Sequence, residues 1–379
     1  MKHSTKLDKP LLVIMLIFMI FGLIMVLSAS SMASYMRYHN SIYFYLIRQG
    51  LFMLIGLIAF LIAIYFPTKL FKNISPFLMF VLIASLFGLF IIGAVYNSSQ
   101  SWYDLKFISI QPSEIGKIII ILYLAYYYQK NRNDLDNQWI LLKPIIISLI
   151  VIVCVAMQPD LGTAAVIFGI VLLIFYALPL KKQTLGPINK IFFGGIVLVA
   201  LTLVLTGGSF LRDYQLKRFE FMNPCERYED KTGYQLCNSI IALKNGGLIG
   251  KGIGESTQKY LYLPESHTDF IFPIIVEEWG LIVGLIIILL YFLILYRILS
   301  IAKKADNLGN AIIAYGVFAY IFFHVAINLT GVLNIGPLTG VPLPFLSYGG
   351  SYTITLLFSM GLVQRVHYES YKKGKKESR

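Results

Sequence analysis

Several groups of residues in this 379-residue sequence have the types and spacing to do chemistry. The first is Leu263-Pro264-Glu265-Ser266-His267-Thr268-Asp269-Phe270, where carboxylates, an imidazole and a hydroxyl stand just before a long apolar run. Asp269 there can act as a general base, or it can cap the helix that follows. The second is Gln111-Pro112-Ser113-Glu114 with Lys117. Pro112 suits a first helical turn, and Glu114 and Lys117 at i and i+3 share a face where they can pair. Arg48 opens another apolar run at a similar depth. These charges either tie helices together or line a polar cavity that receives a charged headgroup, and a structural pair can do both. The third group is Gln158-Pro159-Asp160, in which Asp160 reads most simply as the N-cap of a helix starting at Leu161. The fourth is Glu277 and Glu278, beyond Asp269 in an apolar run, where carboxylates need partners.

Between Gly207 and Asp269 the chain is unusually polar. Gly246, Gly247, Gly250, Gly252 and Gly254 give a backbone able to approach a ligand closely, and they read as a flexible lip over a headgroup. No βαβ context surrounds them, so a nucleotide cradle is excluded. Lys244, Lys251 and Lys259 lie among these glycines, either as solvated loop charges or as phosphate contacts. Cys225 and Cys237 fall in the same stretch, and a disulfide between them is open if the loop is extracytoplasmic. Cys154 reads as a small packing residue. No Ser/His/Asp order, HExxH helix or zinc-type cysteine spacing competes with Asp269.

The elements that must position these residues are membrane helices. The chain is 57% hydrophobic and 13% charged, with a mean hydropathy of +0.73. A soluble domain carries roughly 25% charged residues. Ten apolar spans are expected, at about 11–30, 45–66, 76–96, 112–128, 141–157, 161–179, 189–206, 270–296, 309–330 and 346–365. The fold class is therefore an all-α integral membrane protein, one domain over residues 1–379. The first span is too long for a signal peptide core and is read as retained. Lys and Arg cluster in alternate segments, which places both termini in the cytoplasm. The large loop, about 207–269, is then extracellular, between spans seven and eight, and a basic tail of about 366–379 is cytoplasmic. The net charge of +13 is thus topological, and nucleic acid is not an expected partner.

Four motifs in order carry a resemblance: Gln111-Pro112-Ser113-Glu114 with Lys117, Gln158 to Thr163, Glu265 to Phe272, and Gly340 to Ser351. They resemble the SEDS family, the FtsW, RodA and SpoVE proteins, over essentially the whole chain. The stretch Glu255 to Glu265 looks more like FtsW than RodA. The segment before Trp102 departs from the pattern, reading Asn-Ser-Ser-Gln-Ser where relatives commonly carry an arginine. The resemblance implies a peptidoglycan glycosyltransferase of the bacterial cytoplasmic membrane that polymerises lipid II. Its implied partners are a class B penicillin-binding protein and other membrane proteins of the division or elongation machinery. Asp269 is the implied catalytic aspartate. Arg48, Glu114, Lys117, Lys251, His267 and Ser347 are the candidates for contacting substrate. A dependence on Mg²⁺ or Mn²⁺ is also implied, with no metal ligands specified. A lipid II flippase and a non-enzymatic scaffold for the crosslinking partner are the competing expectations.

Overall fold

The computed structural model describes residues 7–37, 41–96, 99–104, 109–181, 184–187, 189–190, 223–229, 231–260 and 262–377. Its helices are α1 (Lys9–Met32), α2 (Phe44–Tyr65), α3 (Thr68–Ile92), α4 (Pro112–Lys130), α5 (Gln138–Met157) and α6 (Leu161–Ala177). After these come α7 (Lys231–Gly246), α8 (Ile271–Lys303), α9 (Leu308–Val332) and α10 (Gly350–Glu377). Among the described residues, α1, α2, α3, α5, α8 and α9 are long and apolar enough to cross a membrane. The expected span 189–206 lies outside the described residues beyond Lys190.

Several boundaries differ from the sequence reading. Three short strands, β1 (Ala94–Tyr96), β2 (Ser99–Asp104) and β3 (Ser109–Ile110), form an antiparallel meander, β1 at the expected end of the third span and β2 and β3 in the connection after it. The third span consequently stops at Ile92. It also starts earlier, at Thr68, because Pro76 lies inside the helix instead of opening it. The stretch expected as one large loop contains α7, and Cys225 and Cys237 are joined as a disulfide across its start. The basic tail is the continuation of α10 as far as Glu377.

Polarity runs from inside to outside in the reverse of a soluble protein. Ile20, Leu54, Phe80 and Leu289 are 62%, 57%, 71% and 58% exposed, whereas Gln49, Glu114, Lys117, His324 and Asn328 are buried. Lipid accepts the apolar faces, and polar groups inside a membrane must turn inward to find partners. Side-chain caps serve the ends: Asp8 for α1, Asn137 for α5, Asp160 for α6 and Asn307 for α9. Asp8 also takes Arg297 as an ion pair, and Gln364 brackets its backbone through two hydrogen bonds of 2.8 and 3.1 Å. These contacts tie α1, α8 and α10 together at one end of the bundle.

Helix α4 packs against α3 and α9 and also touches α6, α10 and α5. It is enclosed by protein along most of its length, from Pro112 to Tyr128. That enclosure explains how a helix bearing Glu114 and Lys117 is accommodated.

Helix α8 is broken at Gly280, with φ 86° and ψ 167°. An unbroken helix would join the Glu277 and Glu278 carbonyls to the amides of Leu281 and Ile282. Residues 247–252 take both halves of those bonds instead. Glu277 and Glu278 carbonyls accept from Lys251 N and Gly252 N at 2.9 and 3.0 Å. Leu281 N and Ile282 N donate to Gly247 and Leu248 carbonyls at 2.9 and 3.3 Å. These four backbone groups freed by the break are thereby paired, as a low-dielectric setting demands. The glycine run is not a flexible lip. A Cβ on Gly250 would lie 2.3 Å from the Glu278 carbonyl, and one on Gly280 2.3 Å from that of Leu248. Gly280→Ala should therefore destabilise the protein by at least ~2 kcal/mol through backbone strain and overlap. Gly247→Ala, at φ 52° with open space around it, should cost less, and thermal unfolding of the detergent-purified variants checks the ranking.

Candidate active site

Two carboxylates anchor the docked loop from within α8. Glu277 is fully buried and accepts from Ser256 Oγ at 2.5 Å, Thr257 Oγ1 at 2.8 Å, Lys251 Nζ at 3.1 Å and Asn245 Nδ2 at 3.2 Å. Glu278 pairs with Lys259 Nζ at 3.0 Å and accepts from Ser28 Oγ at 2.6 Å. Lys251 and Lys259 thus supply the partners that Glu277 and Glu278 require. Their ammonium groups hold the loop to α1 and α8.

The turn Glu265 to Phe270 delivers Asp269. The helix after it has Phe270 at its N-cap position and no side-chain cap bond there, so the capping role open to Asp269 is not used. Thr268 Oγ1 lies 2.9 Å from Glu265 Oε2 and 3.2 Å from Asp269 Oδ1, between the two carboxylates. Asn328 Nδ2 donates to the Asp269 carbonyl at 2.7 Å and to the Val341 carbonyl at 2.8 Å. One amide thereby fixes the Asp269 backbone to α9 and to the segment before α10. A Cβ on Gly340, at φ 72°, would sit 3.7 Å from Asp269 Oδ2. Asp269, Asn328, Thr339 and Gly340 line a narrow cleft with no room for a water-sized sphere. An ordinary ligand pocket holds roughly 300–1,000 Å³, so any ligand must widen this cleft to reach the carboxylate.

His267 is buried and packs its ring 4.4 Å from Tyr45 and 5.7 Å from Tyr348, centroid to centroid. Its carbonyl accepts from Tyr348 N at 2.9 Å. Ser347 Oγ accepts from Leu343 N at 2.8 Å and closes a turn within the 340–351 motif. Arg48 is exposed on α2, with its guanidinium 4.6 Å from the Phe44 ring centre. Gln49 beside it holds the motif from the other side, accepting from Gly349 N at 3.1 Å and donating to Thr353 Oγ1 at 3.1 Å.

Glu114 and Lys117 pair at 2.8 Å with almost no exposure. Lys117 Nζ also lies 2.9 Å from His324 Nε2, and 5.4 and 5.8 Å from the Tyr320 and Tyr352 ring centres. His324 Nδ1 lies 3.0 Å from the Pro342 carbonyl. A carbonyl can only accept, so Nδ1 carries the proton and Nε2 is left to accept from the ammonium. The α9 face bearing His324 and Asn328 therefore joins the α4 pair to the 338–342 segment and to Asp269. Gln111 Nε2 donates to Asp160 Oδ2 at 2.7 Å, while Asp160 Oδ1 caps Thr163 N at 3.1 Å. The capping role expected of Asp160 is thus present, with a second contact to the start of α4.

His324, Asn328 and Gln49 were absent from the sequence candidates. His324 and Asn328 stand at i and i+4 in an apolar span, which is itself the signal of a shared polar face. Among the described residues, no three His, Cys, Asp or Glu side chains form a metal-binding group.

A family model described as cell cycle protein, FtsW, RodA and SpoVE, matches residues 8–372. The Bacillus subtilis protein named probable peptidoglycan glycosyltransferase FtsW is 36% identical over 363 residues, covering 94% of this chain and 90% of its own. Stage V sporulation protein E of the same organism is 36% identical over 381 residues, covering 97% and 99%. Among solved structures, a chain described under coordination of polymerization and crosslinking by a peptidoglycan synthase complex aligns with TM-score 0.77. It is 24% identical, over 97% of this chain and 99% of that one. Thermus thermophilus RodA aligns with TM-score 0.67 at 23% identity, over 97% and 99%. At those identities the structures show a common fold.

Proposed function

The chain belongs to the FtsW, RodA and SpoVE family of cell cycle proteins, and on that premise we propose that it is a peptidoglycan glycosyltransferase. It polymerises lipid II at the outer face of the bacterial cytoplasmic membrane. Relatives from Bacillus subtilis and Coxiella burnetii that carry the name probable peptidoglycan glycosyltransferase FtsW support this reading. The observation that carries it is the placement of Asp269, whose backbone is held by Asn328 while its carboxylate borders a cleft and caps no helix.

Glycan extension joins an acceptor sugar hydroxyl to an anomeric carbon that loses undecaprenyl pyrophosphate. The α-linked donor gives a β-1,4 bond, so the displacement inverts, and one carboxylate taking the hydroxyl proton suffices. Asp269 is that base. Pyrophosphate leaves without a proton but needs positive charge. Arg48 is the exposed cation on the α2 side of the site. Lys117 acts from inside, pairing with Glu114 on its own helix and holding α4 to α9 through His324. Glu265, beside Asp269 across Thr268 Oγ1, is the carboxylate that would hold Mg²⁺ or Mn²⁺. Such ions are commonly bound by one or two carboxylates with substrate phosphates, and one there would neutralise the departing pyrophosphate.

Ten spans with both termini in the cytoplasm suit this reading. A class B penicillin-binding protein that crosslinks the new strand is the partner. The similarity to a chain from a peptidoglycan synthase complex supports it.

A flippase would move lipid II without joining it. Transporters often carry broken helices at their binding sites, but loop backbone fills the break in α8, so it lines no cavity. Proteoliposomes containing lipid II distinguish the two. The polymerase should release glycan strands cut by lysozyme, and EDTA should suppress the yield. Headgroup exposure without strands, retained in Asp269→Asn, would instead establish the flippase.

A further inference from the structure

At the end of the bundle opposite Asp269, the first turns of α3 and α9 and the last turn of α4 surround a cleft of about 450 Å³. Its charged lining is Lys69, Lys72 and Lys130 against the single carboxylate of Glu369. That carboxylate is already engaged. Arg365 Nε reaches it at 2.8 Å, Thr68 Oγ1 at 2.7 Å, Thr68 N at 3.0 Å and Asn310 Nδ2 at 2.9 Å. Burial pushes the Glu369 carboxyl up, and these donors together hold it below the ordinary carboxylate value. It attracts Lys72 from a distance but forms no ion pair with any of the three lysines among the described residues.

Lys72 is 7% exposed and lies over Gly309, its Nζ 2.9 Å from where a Cβ would stand. It donates to Asn310 Oδ1 at 3.1 Å. An ammonium has three donors, and the described residues supply no acceptor for the other two. Lys130 Nζ sits 5.8 Å from the Tyr126 ring centre, and neither it nor Lys69 forms an ion pair among the described residues. Lysines that merely anchor topology need only reach the interface. Glu369 and Asp306 attract Lys72 without forming an ion pair with it among the described residues. A buried lysine so placed, flanked by two more around an open volume, is costly unless an anion completes it.

We propose that this cleft is a phosphate site, taking the phosphate of an anionic lipid headgroup or free phosphate. Its volume falls within the roughly 300–1,000 Å³ of small-ligand pockets, enough for a phosphate with a glycerol attached. Asn73 on the lining adds a neutral amide donor. The site is independent of what Asp269 does, because no residue is shared between them.

The test is binding of fluorescent phosphatidylglycerol to the full chain purified in neutral detergent. Lys69→Gln with Lys130→Gln, both exposed positions, should weaken binding roughly tenfold or more, since each lysine near an anionic lipid contributes about fivefold. Lys303→Gln with Lys304→Gln removes the same charge outside the cleft and should leave binding within about twofold of wild type. Competition by millimolar inorganic phosphate would identify free phosphate as a ligand. Competition by unlabelled phosphatidylglycerol alone would identify the headgroup, and either result supports the site. Equal weakening by the two double variants, or undiminished binding by Lys69→Gln with Lys130→Gln, would overturn it.

Discussion

Asp269→Asn should lower lipid II polymerisation by ~10²–10⁴-fold, the range that base catalysis contributes. Asparagine keeps the size of the side chain and the backbone bond from Asn328, so the variant should purify folded. What it removes is the carboxylate oxygen that, as proposed, would take the hydroxyl proton. Asp269→Glu keeps the carboxylate but moves it by one methylene within a cleft too narrow for a water-sized sphere. A misplacement on the order of 1 Å can cost ~10²-fold, so that variant should recover little. Initial rates of glycan formation, at protein amounts matched by gel filtration, separate these cases.

Lys117→Met should destabilise the fold by on the order of 3–5 kcal/mol, because it leaves the Glu114 carboxylate buried without its cation. Methionine keeps nearly the same length, so lost packing is a minor part. Adding Glu114→Gln should restore much of the loss, since replacing both members of a buried pair is often close to neutral. His324 would still lose the ammonium that its Nε2 meets at 2.9 Å, so recovery should be incomplete. The fraction of protein surviving a heat ramp in detergent, compared across the two singles and the double, measures the coupling.

Local chemistry was legible in the sequence wherever a residue and its partner lie close in the chain. The Glu114–Lys117 pair needs one helical turn, and the Asp160 cap needs three residues; both follow from spacing alone. Apolar run length located α1, α2, α5, α8 and α9 for the same reason. The break at Gly280 was not legible, because its hydrogen bonds come from residues 247–252, which a pattern along α8 does not register. Lys251 and Lys259 read as solvated or phosphate-binding, while Glu277 and Glu278 read as needing partners. Each set is the answer to the other, but only the docked loop brings them within 3.1 and 3.0 Å. His324 and Asn328 are neutral side chains in an apolar span, so no charge marks them in the sequence. The polar face they form on α9 is what connects the α4 charges to Asp269.

That this chain itself builds glycan is tested most directly with lipid II dispersed in detergent, where no transbilayer movement is needed. Purified wild-type protein with its penicillin-binding partner and Mg²⁺ should convert lipid II into long lysozyme-sensitive strands, and Asp269→Asn should leave the substrate intact. Folded wild-type protein that consumes no lipid II under those conditions, or an Asp269→Asn variant that matches it, would contradict the assignment.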